Sequence, residues 1–227
     1  ADRDPKNNKI RQDSSKFIAA LYEKTGQYSK AAEAYESYAN KNAKDKDSMA
    51  FFYNAAIIRD GMNAYPQAVA NYTRYMDMAK GNAKFDAVFL LAKLNERRGN
   101  ITKAQEFYKQ YVDAGPSNAA NLIEAQFAVA QIHLKKGRRQ EFEKGCAKVI
   151  AMQKRLSTGK APVGVREAAE CKYVQVSKTF DELRAIKIPA NPKNQQAAVQ
   201  NKLALLNRLK DQLKAVILYD DGPMVVN

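Results

Sequence analysis

The sequence predicts an all-α fold, a solenoid of helix-turn-helix repeats closed by a longer helical pair. Three observations predict it: a segment that recurs every 36 to 38 residues, an alanine at one fixed place in each recurrence, and a glycine or asparagine where each first helix must stop. The recurring segment is Gly26-Gln27-Tyr28-Ser29-Lys30-Ala31, then Asn63-Ala64-Tyr65-Pro66-Gln67-Ala68, then Gly99-Asn100-Ile101-Thr102-Lys103-Ala104, and more loosely Gly137-Arg138-Arg139-Gln140-Glu141-Phe142. Around it the chain divides into an amino-terminal extension (1–12), four copies (13–47, 48–84, 85–120 and 121–156) and a carboxyl third (157–227).

Each copy reads as two helices. Nine residues before the anchors Tyr28, Tyr65, Ile101 and Arg139 stand Ala19, Ala56, Ala92 and Ala130. Gly26, Asn63, Gly99 and Gly137 end the first helix, because these residues accept the left-handed backbone of a helix stop. Ser29, Pro66 and Thr102 suit the start of the second, as caps or as residues that forgo an orphan donor. Seven residues after the anchors come Tyr35, Tyr72, Tyr108 and Cys146, and three further on Tyr38, Tyr75, Tyr111 and Val149, two columns on one helical face. The small column Ala31, Ala68 and Ala104 lets the two helices approach, and the tyrosines fill the wider gap toward the next copy.

These columns, over roughly residues 13–152, resemble the tetratricopeptide repeat family, whose unit is about 34 residues. Departures are longer loops, no tryptophan in the first helix, and Phe142 where the helices should cross closely. The resemblance implies a right-handed superhelix whose first helices line a concave groove. One early groove column then holds Lys16, Tyr53, Phe89 and Phe127, and its neighbours hold Asn54, Ile57, Lys93, Gln131 and Lys135. Such an aromatic ladder edged by amides and cations suits a protein or peptide segment with spaced apolar anchors and some negative charge. Packing of the same aromatics between adjacent first helices is the competing reading. A chaperone-tail clamp is not expected, since Ala20 stands where the family's asparagine would be.

In the carboxyl third, Val165 to Lys187 and Gln195 to Tyr219 read as helices that cap the array. Val199, Leu206 and Leu213 recur every seven residues, with Leu209 and Val216 offset by three, so one stripe must pack on something, and a coiled-coil partner is the alternative to the cap. The opening at Ala1, and the turn Asp221-Gly222-Pro223 with a further helix start at Met224-Val225-Val226-Asn227, read as the edges of a segment whose array continues in a longer parent. Cys146 and Cys171 flank the Ser157 to Gly164 turn symmetrically, so an antiparallel helix pair would set them at one height. They pair if their α-carbons come within about 7 Å, and are otherwise two buried small hydrophobes. Pairing would indicate an oxidising compartment such as the bacterial periplasm. Extended soluble arrays of this style resemble those of bacterial envelope and motility assemblies.

Charge and composition bound the chemistry. The 227 residues hold 38 Lys and Arg against 24 Asp and Glu, a net charge of +14, and half the surplus falls between Lys135 and Lys172. The candidate basic patch is Lys136, Arg138, Arg139, Lys154 and Arg155. A solvated turn explains Lys135 to Arg139 without function; phosphate contact is the sharper reading, and a basic helical-repeat RNA binder is the alternative function. Eight of twelve tyrosines (Tyr28, Tyr35, Tyr38, Tyr65, Tyr72, Tyr75, Tyr108 and Tyr111) are assigned to structural columns, leaving few to stack on bases, so nucleic acid is disfavoured. No run approaches the roughly 20 apolar residues of a membrane span. One histidine, His133, and two cysteines provide neither a zinc site of the usual ligand count nor a catalytic histidine pair. Ser157-Thr158-Gly159-Lys160 lacks the upstream glycine and following hydroxyl of a phosphate loop. The expectation is a non-catalytic scaffold with no metal and no cofactor.

Overall fold

The computed structural model describes residues 5–157 and 162–217. Among them it is all-helical, with ten helices and no strand: α1 (Pro5–Lys24), α2 (Tyr28–Lys41), α3 (Ser48–Gly61), α4 (Tyr65–Met78), α5 (Asn82–Arg97), α6 (Ile101–Ala114), α7 (Ala119–Lys135), α8 (Arg139–Leu156), α9 (Val165–Ala185) and α10 (Pro192–Ile217). They form two compact units, Ala1–Pro116 and Ser117–Asn227. In the first, hairpins α1–α2, α3–α4 and α5–α6 stack in order; in the second, hairpin α7–α8 is followed by α9 and α10, each packed on the one before. Residues 5–12, read as an extension, are the opening turns of α1. Thr158 to Lys160 of the weighed phosphate-loop segment, and Met224 to Asn227, lie outside the described residues.

The four hairpin turns are one structure repeated. Gly26, Asn63, Gly99 and Gly137 have φ of 73°, 59°, 75° and 72°, and Asn63 is the one described non-glycine residue with positive φ. The next amide in each copy reaches back five residues: Gln27 N to Tyr22 O (2.8 Å), Ala64 N to Arg59 O (2.8 Å), Asn100 N to Asn95 O (2.9 Å) and Arg138 N to His133 O (2.9 Å). This closes the orphan carbonyls of the first helix. The same residue is already the N-cap of the second helix, which therefore starts two positions earlier than the cap reading of Ser29 and Thr102 requires. Ser29 donates instead to Glu33 (3.1 Å), and the cap in copy three is Asn100, accepting from Lys103 N. Pro66 falls in the first turn, where a missing donor costs nothing.

Inside each hairpin the small columns are fully buried: Ala19, Ala56, Ala92 and Ala130 on the first helix, Ala31, Ala68 and Ala104 on the second. Copy four replaces the last column by Phe142 and moves the close approach one turn along α8. A Cβ on Gly145 would lie 2.6 Å from Ala130 Cβ, so hydrogen alone fits there. Polar latches close the hairpin ends: Tyr35 donates to Glu23 (2.6 Å) and Tyr108 to Glu96 (2.7 Å). Burial, then the Glu23 carboxylate, push the Tyr35 phenol up to about 12. Copy four has Leu134 and Cys146 at these two places, an apolar pair in place of the latch. Tyr28, assigned to a structural column, is instead exposed at the start of α2.

In the second unit Cys146 of α8 and Cys171 of α9 form a buried disulfide, Cα–Cα 5.0 Å. α10 opens on Pro192 and packs through Leu209 and Val216 against Val176 and Leu183 of α9. The heptad residues Val199, Leu206 and Leu213 do not join that contact and are exposed. The offset pair, not the heptad stripe, meets α9.

Candidate functional site

Phe89 and Phe127 of the aromatic column are buried, and the rings of the column pack within their hairpins. Tyr53 packs on Tyr72 and Tyr75 of its own hairpin, with ring centroids 6.3 and 5.1 Å apart, and Phe89 packs likewise on Tyr108 and Tyr111, at 6.0 and 5.1 Å. Phe127 is buried in a cluster with Cys146 and Val149, the same two columns of copy four. In copy one, Lys16 places its ammonium 5.2 Å from the Tyr38 ring centre and pairs with Asp45 (3.3 Å) and Asp47. The Asp47 hydrogen bond, against some desolvation, holds the Lys16 ammonium above the ordinary lysine value. The column is thus the contact of each first helix with the i, i+3 pair on its second helix. The ring pairs gain roughly 0.5–1.5 kcal/mol each beyond the area they cover. Phe89 and Phe127 are core residues, Lys16 ties α1 to the loop before α3, and Tyr53 is half-buried.

The neighbouring columns hold what remains accessible. On α3, Asn54 is half-buried and Ile57 is 46% exposed. On α5, in the Ile57 column, Lys93 sets its ammonium 5.5 Å from the Phe89 ring centre. Phe17 of α1, one residue beyond Lys16 and in the Asn54 column, is 69% exposed, and the sequence reading passed over it. Its column holds Asn54, Leu90 and Ala128 in the other copies, two of them apolar, so the alignment alone did not mark it as exposed. In the first unit the candidate surface is therefore Phe17, Asn54, Ile57 and Lys93, in two columns three residues apart on α1, α3 and α5. Beside it, Glu36 of α2 accepts from Arg59 (2.8 Å) and Asn71 (2.7 Å), and Arg97 pairs with Asp60. These bonds fix α2, α3, α4 and α5 to one another. Burial pushes the Glu36 carboxyl up, but the Arg59 and Asn71 hydrogen bonds outweigh it and hold it below the usual range.

In the second unit, Gln131 of α7 donates to Glu170 of α9 (3.3 Å), while Leu134, also missed, and Lys135 are exposed at the end of α7. His133 is half-buried in the same turn. The basic residues are all exposed, but they form two clusters and not one patch. Lys136, Arg138 and Arg139 stand at the head of α8; Lys154 and Arg155 stand in its last turn, about 24 Å away at 1.5 Å per residue. The latter pair sits where cations favour the negative end of the helix dipole. A cavity of about 370 Å³ opens between α8, α9 and α10, bordered by the disulfide, Glu143, Lys178, Arg208 and Gln212. Its charges are internally matched in part, since Glu143 accepts from Lys178 at 3.1 Å, the bond that chiefly holds its carboxyl below the ordinary value.

With this geometry in view, the fold can be compared with known proteins. A tetratricopeptide repeat protein from Parabacteroides merdae superposes with a TM-score of 0.55 over 92% of this chain and 77% of its own, at 13% identity. The chain has a tetratricopeptide-like helical-repeat fold. The putative kinesin light chain nearly identical TPR-like repeats of Podosopora anserina match with a TM-score of 0.52 over 93% and 97% of the two chains, at 16% identity. BtubC (BKLC) from P. vanneervenii matches at 0.51 over 70% and 68%, also 16% identical. No family model and no curated protein matches the sequence. At these identities the likeness of the tetratricopeptide-like chain to its neighbours is one of fold. Among its described residues no helix is long and apolar enough to cross a membrane.

Proposed function

We propose that the chain is a non-catalytic interaction scaffold that holds a protein or peptide segment against the first helices of its repeats. The observation that carries this reading is the exposure of Phe17 and Ile57, in two first-helix columns three residues apart, while Phe89 and Phe127 are buried. Phe17 and Ile57 take no part in the buried alanine columns that hold the hairpins together, and apolar side chains grouped on first helices favour contact with a guest. Lys93, in the Ile57 column of α5, favours a guest that carries some negative charge. The disulfide supports work in an oxidising compartment, the bacterial periplasm, where envelope and motility assemblies are candidate settings.

The test is affinity capture from the native source with the wild-type chain and with Phe17→Ala/Ile57→Ala/Lys93→Ala, each with and without nuclease, read by mass spectrometry. The expected result is a defined protein set captured by the wild type, resistant to nuclease and depleted in the variant at unchanged helicity. Capture that nuclease abolishes, with affinity falling steeply with salt, would move the reading to RNA held by the two basic clusters.

A further inference from the structure

Beside the strip of α10 that packs on α9, a row of exposed apolar residues carries the spacing of a coiled-coil seam. Val199, Leu203, Leu206, Leu213 and Ile217 are 39, 48, 44, 42 and 54% exposed. They lie within an arc of about 80° at 3.6 residues per turn. Their spacing alternates four and three, with Lys210 at the one place where the alternation meets no apolar residue. That is the a and d pattern of a heptad, sustained over six positions. The buried pair Leu209 and Val216, about 80–100° round the helix from the centre of the seam, is already committed to α9, so the seam is the adjoining apolar surface that α9 leaves uncovered.

Charge identifies the occupant. Lys202 and Lys214 flank the seam about 60° to either side, Lys210 stands inside it, and Asp211, the one acid of α10, is turned away. A second copy of this chain would set these cations against their own kind. An anionic lipid surface prefers a broad face carrying aromatic anchors, and this arc is narrow and wholly aliphatic. We infer that the seam takes an acidic amphipathic helix of another protein, with leucine or isoleucine at its a and d positions, glutamate flanking them, and an acid facing Lys210. A cation at a seam position selects partner and register, and an opposing carboxylate is what restores its lost hydration. This surface is separate from the first-helix face proposed above, and the two readings stand or fall independently.

The probe is a synthetic 28-residue helix with leucine at a and d of four heptads, one central a position replaced by glutamate, and glutamate at e and g, which keeps it from pairing with itself. A matched peptide carries lysine for every glutamate. Fluorescence anisotropy on the whole chain should give micromolar binding of the acidic peptide and at least tenfold weaker binding of the basic one. Leu206→Ser/Leu213→Ser should cost tenfold or more, with melting and helicity unchanged because both side chains are exposed, and Lys210→Glu should reduce the preference for acid. Equal binding of both peptides, or of neither, would overturn the inference. So would sedimentation as a dimer that the double serine variant dissolves, or binding to phosphatidylglycerol vesicles lost in that variant.

Discussion

Gly145→Ala adds a single methyl group at the point where α8 crosses α7, and its cost can be worked from the structure. The new Cβ would lie 2.6 Å from Ala130 Cβ and 3.2 Å from Ala130 Cα. Carbon contacts relax near 3.5–4.0 Å, so the helices must part by about 1 Å along a seam that is otherwise closed. Neither contacting atom belongs to a flexible side chain, which places the penalty near the top of the overpacking range, about 3 kcal/mol. Alanine recovers about 1 kcal/mol of helix propensity. The net loss is about 2 kcal/mol, or roughly 10 °C in the transition that melts the second unit. Differential scanning calorimetry checks this, with two controls. Gly61→Ala, at a glycine with no atom within 4 Å of the added carbon, should be neutral or slightly stabilising. Gly145→Ala/Ala130→Gly exchanges the methyl between helices and should regain most of the loss, giving a coupling of about 2 kcal/mol. A Gly145→Ala melt equal to the wild type, or a double variant no better than additive, would refute the account of how copy four tolerates Phe142.

Reduction of the Cys146–Cys171 bridge, or Cys146→Ala/Cys171→Ala, should lower the stability of the second unit by about 3 kcal/mol while leaving the first unchanged, read by melting with and without reductant; the denatured, unreduced chain should titrate no free thiol. Asn63→Ala forces a Cβ-bearing residue without a local hydrogen bond into φ 59° and should cost about 1–2 kcal/mol in urea unfolding, whereas Asn63→Gly should be close to neutral despite losing the acceptor for Tyr65 (2.7 Å). Glu36 has its carboxyl below the ordinary 4.5, so its contribution is complete above that pH and is lost as pH falls through the lower folded value. Urea midpoints should decline on acidification in the wild type, and Glu36→Gln should be less stable at pH 7 with a flatter decline.

What could be read along the chain was whatever depends on neighbours a few residues away. The stop at Gly26, Asn63, Gly99 and Gly137 needs a left-handed residue whatever surrounds it, so the turns were legible, as were the buried alanines that repeat with them. The cap of the second helix was misplaced by two residues because one residue serves both the turn and the cap, a geometric fact absent from residue preferences. The candidate groove was harder. Tyr53, Phe89 and Phe127 occupy a column that can point toward a guest or toward the second helix, and periodicity is the same in both cases.

Sequence alone determined the repeat, its helical hairpins and the positions where backbone must turn left-handed, since these follow from short-range sterics and hydrogen bonding. Tertiary structure decided which apolar faces remain in contact with water. The tyrosine pair on each second helix captures the aromatic column, α9 takes Leu209 and Val216 rather than the heptad stripe, and a missing methyl at Gly145 makes room for Phe142. Each outcome is a competition between packing partners distant in the chain, settled by volume and reach, and no local pattern carries those quantities.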